Sequence, residues 1–303
     1  MKLILSRKGF DSSNGGVPSP VFPDGRMLSL PIPEQWASPI TYEVRYEDLC
    51  WPGQPAIGDI VEQLTGGRVS RHKGGHIDPD IFTGSLPRDE GWRPIFGQTD
   101  AAQGHLKNKD IGHGDIFLFF GLFRKVETKD SVLRFATSCP QQHVIFGWLQ
   151  VDRVVQVDSC RENMPWAHYH PHMHLGPDPR NTLYIASEKL TLPGYGDVGR
   201  PGAGVFDRYS DTLCLTAPNE ATSTWLLPAW FAPDEQKPPL TYHSAAWRWE
   251  PNTEEGVLLR SVGRGQEFVL DCDAYPEAHG WLAWLFHIAP LTRPSGDREL
   301  STS

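Results

Sequence analysis

The chain has 303 residues, 39% of them hydrophobic and 21% charged, which is enough for a sizeable buried core. Its formal net charge of −9 at pH 7 argues against tight, non-specific binding along duplex DNA, which needs many Lys and Arg contacts to phosphate. The five scattered cysteines lack the close spacing of a structural zinc site, and no apolar run approaches a membrane span, so we expect a cytoplasmic globular protein without membrane association.

Short apolar runs between 29 Gly and 27 Pro predict many brief strands and irregular connections. The predicted strands are Leu3–Ser6, Ile116–Phe120, Val144–Val151 with a continuation to Val157, Thr182–Ala186, Val257–Val262 and Glu267–Leu270. The predicted helices are Pro55–Leu64, a second one from Thr99 or Asp100 through His105, and Glu277–Ile288.

This pattern predicts an α+β fold in one domain, residues 1–303, with short peripheral helices and long loops. Its centre is expected to be a strand-rich, mixed sheet that could curl into a barrel. The segment between the last two strands, Arg260–Glu267, favours a hairpin turn, with closure over a phosphate as the alternative. We expect the C-terminal tail, about 290–303, to be flexible.

Four histidines alternate in one short segment, His168, His170, His172 and His174. In an extended backbone, side chains two residues apart point to the same side, so these imidazoles could form one row. Three interpretations are open: metal ligation, proton transfer with substrate hydrogen bonding, and an ordinary exposed loop. Catalytic zinc needs three protein ligands and a free position, which His170, His172 and Asp78 could supply.

A second polar cluster, His76, Asp78 and Asp80, alternates around Pro79. Proline keeps the preceding residue extended, so the three side chains could lie on one side and form an acid/base cluster or a hard-metal site. Two buried carboxyl groups so close together raise the pKa of at least one of them. The alternative is an Asp-Pro-Asp turn at the surface.

The loop after the first strand is rich in glycine and in polar side chains, among them Ser6, Arg7, Lys8, Asp11 and Ser12. Backbone donors and cationic side chains in such a loop can bind a phosphate or a ribose. The alternative is a turn whose Asp and Ser bond their own backbone. The loop lacks the GxxxxGK[ST] pattern, which disfavours NTP hydrolysis of that type.

Two further polar residues, Gln98 and His105, lie on or beside the predicted second helix. Gln98 could read a base edge, since an amide offers a paired donor and acceptor; a helix-capping amide with a surface histidine is the alternative. Large aromatic side chains could stack on a base, although they are more often core residues. The candidates for stacking are Trp166, Tyr169, Trp225, Trp230, Trp247 and Trp249.

Several motifs occur in the same order as in a known family. They are the opening LSRKGFDSSNGG with Pro18-Ser19-Pro20, HIDPD at 76–80, Phe96-Gly97-Gln98, His105-Leu106, GDIFLFFG at 114–121, and His170-Pro171-His172. From residue 2 to about 270, the chain resembles the third of the nucleotide modification associated domain families of bacterial and phage proteins. The resemblance implies a link to systems that modify DNA bases or nucleotides.

Three hypotheses follow. The first is an enzyme acting on a nucleotide or on a base in DNA, by acid/base or metal-assisted chemistry in a cleft lined by Asp and His, with other DNA-modification proteins as potential partners. The second is a non-catalytic reader of modified nucleic acid with an aromatic pocket. The third is a metal-dependent oxidoreductase or hydrolase.

The enzyme hypothesis assigns roles to twelve residues and leaves the cofactor open, with a divalent metal as the candidate. The catalytic candidates are Asp11, His76, Asp78, Asp80, His170 and His172, and the substrate-binding candidates are Ser6, Arg7, Lys8, Ser12, Gln98 and His105. Acid/base groups must come within hydrogen-bond reach of the reacting atoms, so the hypothesis requires one shared cleft.

Overall fold

A computed structural model describes residues 1–34, 44–51, 56–252, 256–263, 265 and 267–288. The strands are β1 (Lys2–Arg7), β2 (Ser19–Val21), β3 (Ile32–Pro33), β4 (Gly75–His76), β5 (Ile95–Gln98), β6 (Ile116–Lys129), β7 (Val132–Phe135), β8 (Gln142–Gln156), β9 (Thr182–Ala186), β10 (Lys189–Leu192), β11 (Gly196–Pro201), β12 (Ala203–Val205), β13 (Thr224–Leu227), β14 (Trp249–Asn252), β15 (Gly256–Arg260) and β16 (Glu267–Asp271). The helices are α1 (Ile57–Thr65), α2 (Asp100–Asn108), α3 (Val157–Cys160) and α4 (Glu277–Ile288). The predicted helix start at Pro55 and the predicted tail at 290–303 lie outside the described residues.

The main sheet has the strand order β16-β1-β6-β8-β9-β5, with β12 beside β8 and with β2 and β7 beside β6. Strand β1 is parallel to β6 and antiparallel to β16, so the sheet is mixed. The prediction of an α+β fold with a strand-rich, mixed sheet is confirmed, although the described strands do not close into a barrel. Residues from both ends of the chain share this sheet, which supports the single domain; that organisation stays a prediction.

An aromatic cluster packs against strands β5, β6 and β9 of the main sheet. The rings of Phe96, Phe117, Phe119 and Tyr184, from β5, β6 and β9, have centroids 5.0–5.9 Å apart. All four side chains are buried, and each such burial stabilises the fold by about 1.5–3 kcal/mol. Because Phe96 belongs to this cluster, its burial fixes the position of β5, including Gly97 and Gln98.

Most predicted elements are present, but one predicted connection is wrong. Strand β9 and helix α4 have the predicted bounds, while β6 and β8 extend to 14 and 15 residues. Helix α1 ends as expected at Gly66, whose φ of 62° is left-handed. The expected hairpin between the last two strands does not form, because β15 pairs with β13 and β14 whereas β16 pairs with β1.

No helix in the described part of the chain is long and apolar enough to cross a membrane. The longest of the four, α4, has 12 residues.

Candidate functional site

Two short pairings bring the HIDPD segment to the edge of the main sheet. Strand β4 pairs with β3 so that His76 faces Ile32, and Asp80 forms a bridge with Ile95 at the start of β5. Between these two points the carboxylate of Asp78 lies beside β5, where its Oδ1 accepts the backbone N–H of Gly97 at 2.7 Å. The segment therefore extends the sheet and points Asp78 along its edge.

The four histidines do not form the extended row expected from their spacing. Pro171–His174 is a 3₁₀ turn, because Pro171 has a suitable φ for a first helical position and the ring of His170 accepts the backbone N–H of His172. The turn separates the imidazoles. His170 and His172 are buried, whereas His168 is exposed with its Nε2 3.2 Å from the carbonyl oxygen of Arg161.

Three imidazoles surround the carboxylate of Asp78. Its Oδ1 lies 3.5 Å from His170 Nε2, and its Oδ2 lies 3.7 Å from His172 Nε2. One ligand atom each of His76, Asp78 and His172 lies within 4.8 Å of the other two. The side chains of Asp78, His170 and His172 are 6%, 0% and 5% exposed, so this cluster is shielded from bulk water.

The proton positions in the cluster follow from its neighbours. Asn181 donates its Nδ2 hydrogen to the carbonyl oxygen of His172, which turns its Oδ1 towards the Nδ1 of His172 at 2.6 Å. An amide oxygen only accepts, so Nδ1 of His172 carries the proton and Nε2 presents a lone pair. His76 Nδ1 lies 3.0 Å from a carboxylate oxygen of Glu34, and it is oriented in the same way.

Burial sets the charge states of the cluster. It lowers the pKa of His172 to about 4 against the opposing charge of Asp78, so this imidazole is neutral near pH 7. Burial raises the pKa of Asp78, but the hydrogen bond from the facing imidazole of His170 and the positive charge that His172, His170 and His76 carry when protonated outweigh it and lower that pKa to about 2. The expectation of a raised pKa does not hold for Asp78, and the site presents a carboxylate beside a neutral imidazole.

Asp80 is turned away from this cluster. Its carboxylate accepts two hydrogen bonds of 2.7 Å from the guanidinium of Arg88 and another from the hydroxyl of Tyr169. Trp92 Nε1 in turn donates to the hydroxyl oxygen of Tyr169 at 2.6 Å. Asp80 is 1% exposed, and the side chain of Arg88 is 9% exposed. This buried network fastens the histidine segment to the HIDPD segment, so the contacts of Asp80 are those of a structural residue.

A second group of charged residues lies at the end of β1. Lys8 Nζ is 2.9 Å from Glu267 Oε1, which also accepts the Gln98 amide at 2.7 Å. Arg7 donates instead to the carbonyl oxygens of Val262 and Gly263, and within the described chain it forms no ion pair. Lys8 is therefore neutralised by a carboxylate, whereas Arg7 keeps its charge.

The other predicted site residues are placed as follows. Asp11 Oδ1 accepts hydrogen bonds from the backbone N–H groups of Ser13 and Asn14, each at 2.7 Å. Asp11 thus stabilises a turn of its own backbone, as in the second interpretation of this loop. Ser12 is exposed, while Ser6 is fully buried in β1. His105 Nε2 lies 3.2 Å from the hydroxyl of Thr241, and burial lowers the pKa of His105.

A cavity of about 440 Å³ joins the two groups of residues. This volume is within the range of about 300–1,000 Å³ that is typical of small-molecule sites. Seven of the twelve predicted site residues line it: Arg7, Lys8, Asp11, His76, Asp78, Gln98 and His172. The start of α2 forms part of the wall, and His170 touches the cluster from behind. The remaining predicted residues, Ser6, Ser12, Asp80, His105 and His170, are not among the lining residues.

The fold and the cavity together define a class: an α+β protein with a polar cavity lined by histidine, carboxylate and cationic groups. The family model for nucleotide modification associated domain 3 matches residues 2–271, and the chain belongs to this family. Membership connects the protein with nucleotide modification. No curated protein and no solved structure matches the chain.

Sequence reasoning missed several residues that shape the site. Asn181 and Glu34 orient two imidazoles, Glu267 neutralises Lys8, and Gly97 holds Asp78. Glu267 carried a usable signal, because a charged residue opening an otherwise apolar strand is seldom buried without a partner. Asn181 and Glu34 sit in loops where such residues are common, so no comparable signal marks them.

Proposed function

We propose that the protein is an enzyme that modifies a nucleotide or a base in DNA, and that the reaction takes place in the cavity between Arg7 and the histidine cluster. The observation that carries the proposal is the meeting of residues from distant parts of the chain around one hollow. Arg7, Asp78 and His172 line the same cavity although up to 165 positions separate them in the sequence. Catalysis requires such convergence of titratable groups.

The cationic end of the cavity suits a phosphate. Arg7 projects a guanidinium whose partners are neutral carbonyl oxygens, so its charge is available to an anion. Helix α2 begins in the same wall, and the N–H groups of a first helical turn favour negative charge. Asp100 at this helix start is ion-paired with Arg180 at 3.2 Å, which reduces its repulsion of an anion. Arg7 is the better phosphate anchor of the two cations, because Lys8 is held by Glu267.

The opposite end of the cavity supplies the reactive groups. His172 presents the lone pair of a neutral imidazole, and Asp78 presents an ionised carboxylate. Such groups accept a proton or bind an electrophile, and their low exposure strengthens the interaction. A nucleotide whose phosphate lies against Arg7 would therefore place its base or sugar near Asp78 and His172.

The reader hypothesis has less support from the contents of the cavity. None of the six aromatic candidates is among the described residues that line it. Trp225 is fully buried in the core, Tyr169 is bound to Asp80, and Trp247 is 63% exposed elsewhere. A smaller apolar cavity behind Asp78, near Trp51 and Phe82, measures about 70 Å³, which is below the usual size of ligand sites.

The proposed function is tested by mass spectrometry of nucleosides from the DNA of cells with and without the intact gene. We expect a nucleoside that depends on the gene and that disappears with Asp78→Asn. The matched control is Asp197→Asn, because Asp197 pairs with Lys189 at the surface, away from the cavity. A profile that is the same with and without the gene, combined with modified-oligonucleotide binding that Asp78→Asn leaves intact, would support the reader and overturn the enzyme.

A further inference from the structure

We propose that His76, Asp78 and His172 bind one divalent first-row transition-metal ion, Fe²⁺ or Zn²⁺, at the floor of the cavity. The chemical role of this ion rests on the proposed function, whereas the prediction that the ion binds does not. From the sequence alone, His170 is a candidate ligand beside His172 and Asp78. The geometry puts His76 in that place, since within the described chain these three residues form a cluster whose ligand atoms all lie within 4.8 Å of one another.

The spacing suits a metal centre. Nitrogen and oxygen ligands of zinc lie about 2.0–2.2 Å from the ion, so two of them in a tetrahedral arrangement are about 3.4 Å apart. His172 Nε2 and Asp78 Oδ2 are already 3.7 Å apart. A small rotation of the partly exposed His76, which is 18% exposed, would complete the set.

The neighbours of both imidazoles prepare them as ligands. Asn181 holds the Nδ1 hydrogen of His172, and Glu34 faces Nδ1 of His76, so that each Nε2 is left with its lone pair. A metal-binding histidine commonly donates its other ring N–H to a carbonyl or a carboxylate, which fixes the tautomer and the ring orientation. Two imidazoles with such partners beside one carboxylate are hard to explain as ordinary packing.

A buried imidazole supplies a second, independent observation. His170 is 0% exposed, and within the described chain its Nε2 completes no hydrogen bond, although it lies 3.5 Å from Asp78 Oδ1. Its Nδ1 accepts the backbone N–H of His172, so Nε2 carries the proton and faces Asp78 Oδ1. Oδ1 also takes the N–H of Gly97, which leaves Oδ2 as the ligand atom. His170 is thus a positioning residue, and it is not a ligand.

The donor set selects the class of metal. Two nitrogens and one carboxylate oxygen suit Zn²⁺ or non-haem Fe²⁺, whereas Mg²⁺ and Ca²⁺ prefer oxygen ligands. No cysteine is among the described lining residues, so a thiolate centre is not formed here. Three protein ligands leave coordination positions open, and all three side chains line the cavity. When bound, such an ion would polarise a substrate oxygen or activate water.

The test measures metal binding by the purified full chain, without reference to activity. The protein is stripped with a chelator and dialysed against Zn²⁺, Co²⁺ or anaerobic Fe²⁺, and the bound metal is counted by elemental analysis. We expect one ion per chain, with a visible Co²⁺ spectrum that shows nitrogen ligation. Asn181→Ala, which removes a partner but no ligand, should weaken binding by about 10–100-fold, and His76→Gln at least as much.

The matched control is His168→Gln, an exposed imidazole of the same segment, which should bind the metal as the unmodified chain does. Circular dichroism verifies that each variant is folded; if Asn181→Ala fails to fold, His76→Gln, at a partly exposed position, decides. Stoichiometric binding that His76→Gln and Asn181→Ala leave unchanged, or no binding by the unmodified chain, would overturn the metal site. Metal binding with unaltered cellular nucleosides would overturn the proposed function alone, and altered nucleosides without metal binding would overturn the metal site alone.

Discussion

Replacing Gly97 by alanine tests how closely β5 and His172 approach. A Cβ at this position would lie 2.3 Å from His172 Cδ2 and 2.7 Å from its Nε2, well inside van der Waals contact. The ring cannot move away freely, because Asn181 holds its Nδ1 and the surrounding residues bury it. Overpacking of this kind costs about 1–3 kcal/mol, so we expect Gly97→Ala to lower the free energy of unfolding by this amount.

The displaced ring should also separate Nε2 of His172 from Asp78, so metal binding and the gene-dependent nucleoside should both decrease. Urea unfolding, metal dialysis and nucleoside analysis measure the three effects. Gly104→Ala is the control, since Gly104 lies in α2, where an added Cβ would have nothing within 4 Å, and alanine there should stabilise the helix by about 0.5–1 kcal/mol. If Gly97→Ala kept both its stability and its metal affinity, the close approach of His172 to β5 would be refuted.

Three further predictions address the metal, the buried histidines and the buried serine. Zn²⁺ at a free concentration a hundred times its Kd should raise the free energy of unfolding by about 2.7 kcal/mol in denaturant titrations, and in His76→Gln, which we expect to bind at least about 10-fold more weakly, this gain should fall to about 1.4 kcal/mol or less. Burial lowers the pKa of His143 to about 3 and that of His243 to about 4, so at these two positions the unfolded chain takes up protons before the folded chain does as the pH falls from about 6.5 towards 4. Their contribution to stability should therefore decrease over this range, and His143→Gln should make the decrease shallower. Ser6 is fully buried, and its hydroxyl has no hydrogen-bond partner within the described chain. Ser6→Ala should therefore raise the free energy of unfolding by roughly 1 kcal/mol and leave the nucleoside profile unchanged. Loss of the gene-dependent nucleoside in this variant would instead assign Ser6 to substrate binding.

The fold was predictable where local patterns are strong. Strand β9 is a short apolar run and α4 is a nearly continuous apolar helix, and both have the predicted bounds. Pairing is different, because it depends on residues far apart in the chain. The strand β16 was predicted, but its partner β1 lies at the other end of the sequence, so the expected hairpin with β15 was wrong. Local turn signals do not report which sheet a strand joins.

The site was predictable by residue type and much less by geometry. Asp78 and His172 were candidates because carboxylates and imidazoles carry chemistry, and both line the cavity. The row of alternating histidines required an extended backbone, whereas Pro171 starts a 3₁₀ turn, so only two of the four rings face Asp78. Glu267 lies 169 positions from Gln98, and a contact across that distance leaves no trace in the local sequence.

The carboxylates of Asp78, Asp80 and Glu267, each no more than 6% exposed, divide into two kinds. Glu267 pairs with Lys8 and Asp80 pairs with Arg88, both of which are permanent cations near pH 7. The ionisable neighbours of Asp78 in the described chain are imidazoles, which can change their protonation or bind a metal. The first two carboxylates therefore have the contacts of structural groups, and Asp78 has those of a reactive one.

This division predicts that stability and function separate in two otherwise similar variants. Asp80→Asn leaves Arg88 as an uncompensated buried cation, so it should cost about 3–5 kcal/mol of unfolding free energy. Asp78→Asn keeps an acceptor for the Gly97 N–H, and lowering an aspartate pKa from 3.8 to about 2 corresponds to about 2.5 kcal/mol. We expect Asp78→Asn to remain the more stable variant in urea while losing metal binding and the nucleoside product. Equal destabilisation by the two substitutions would show that Asp78 is as structural as Asp80, and the assignment of the reactive cluster would then fail.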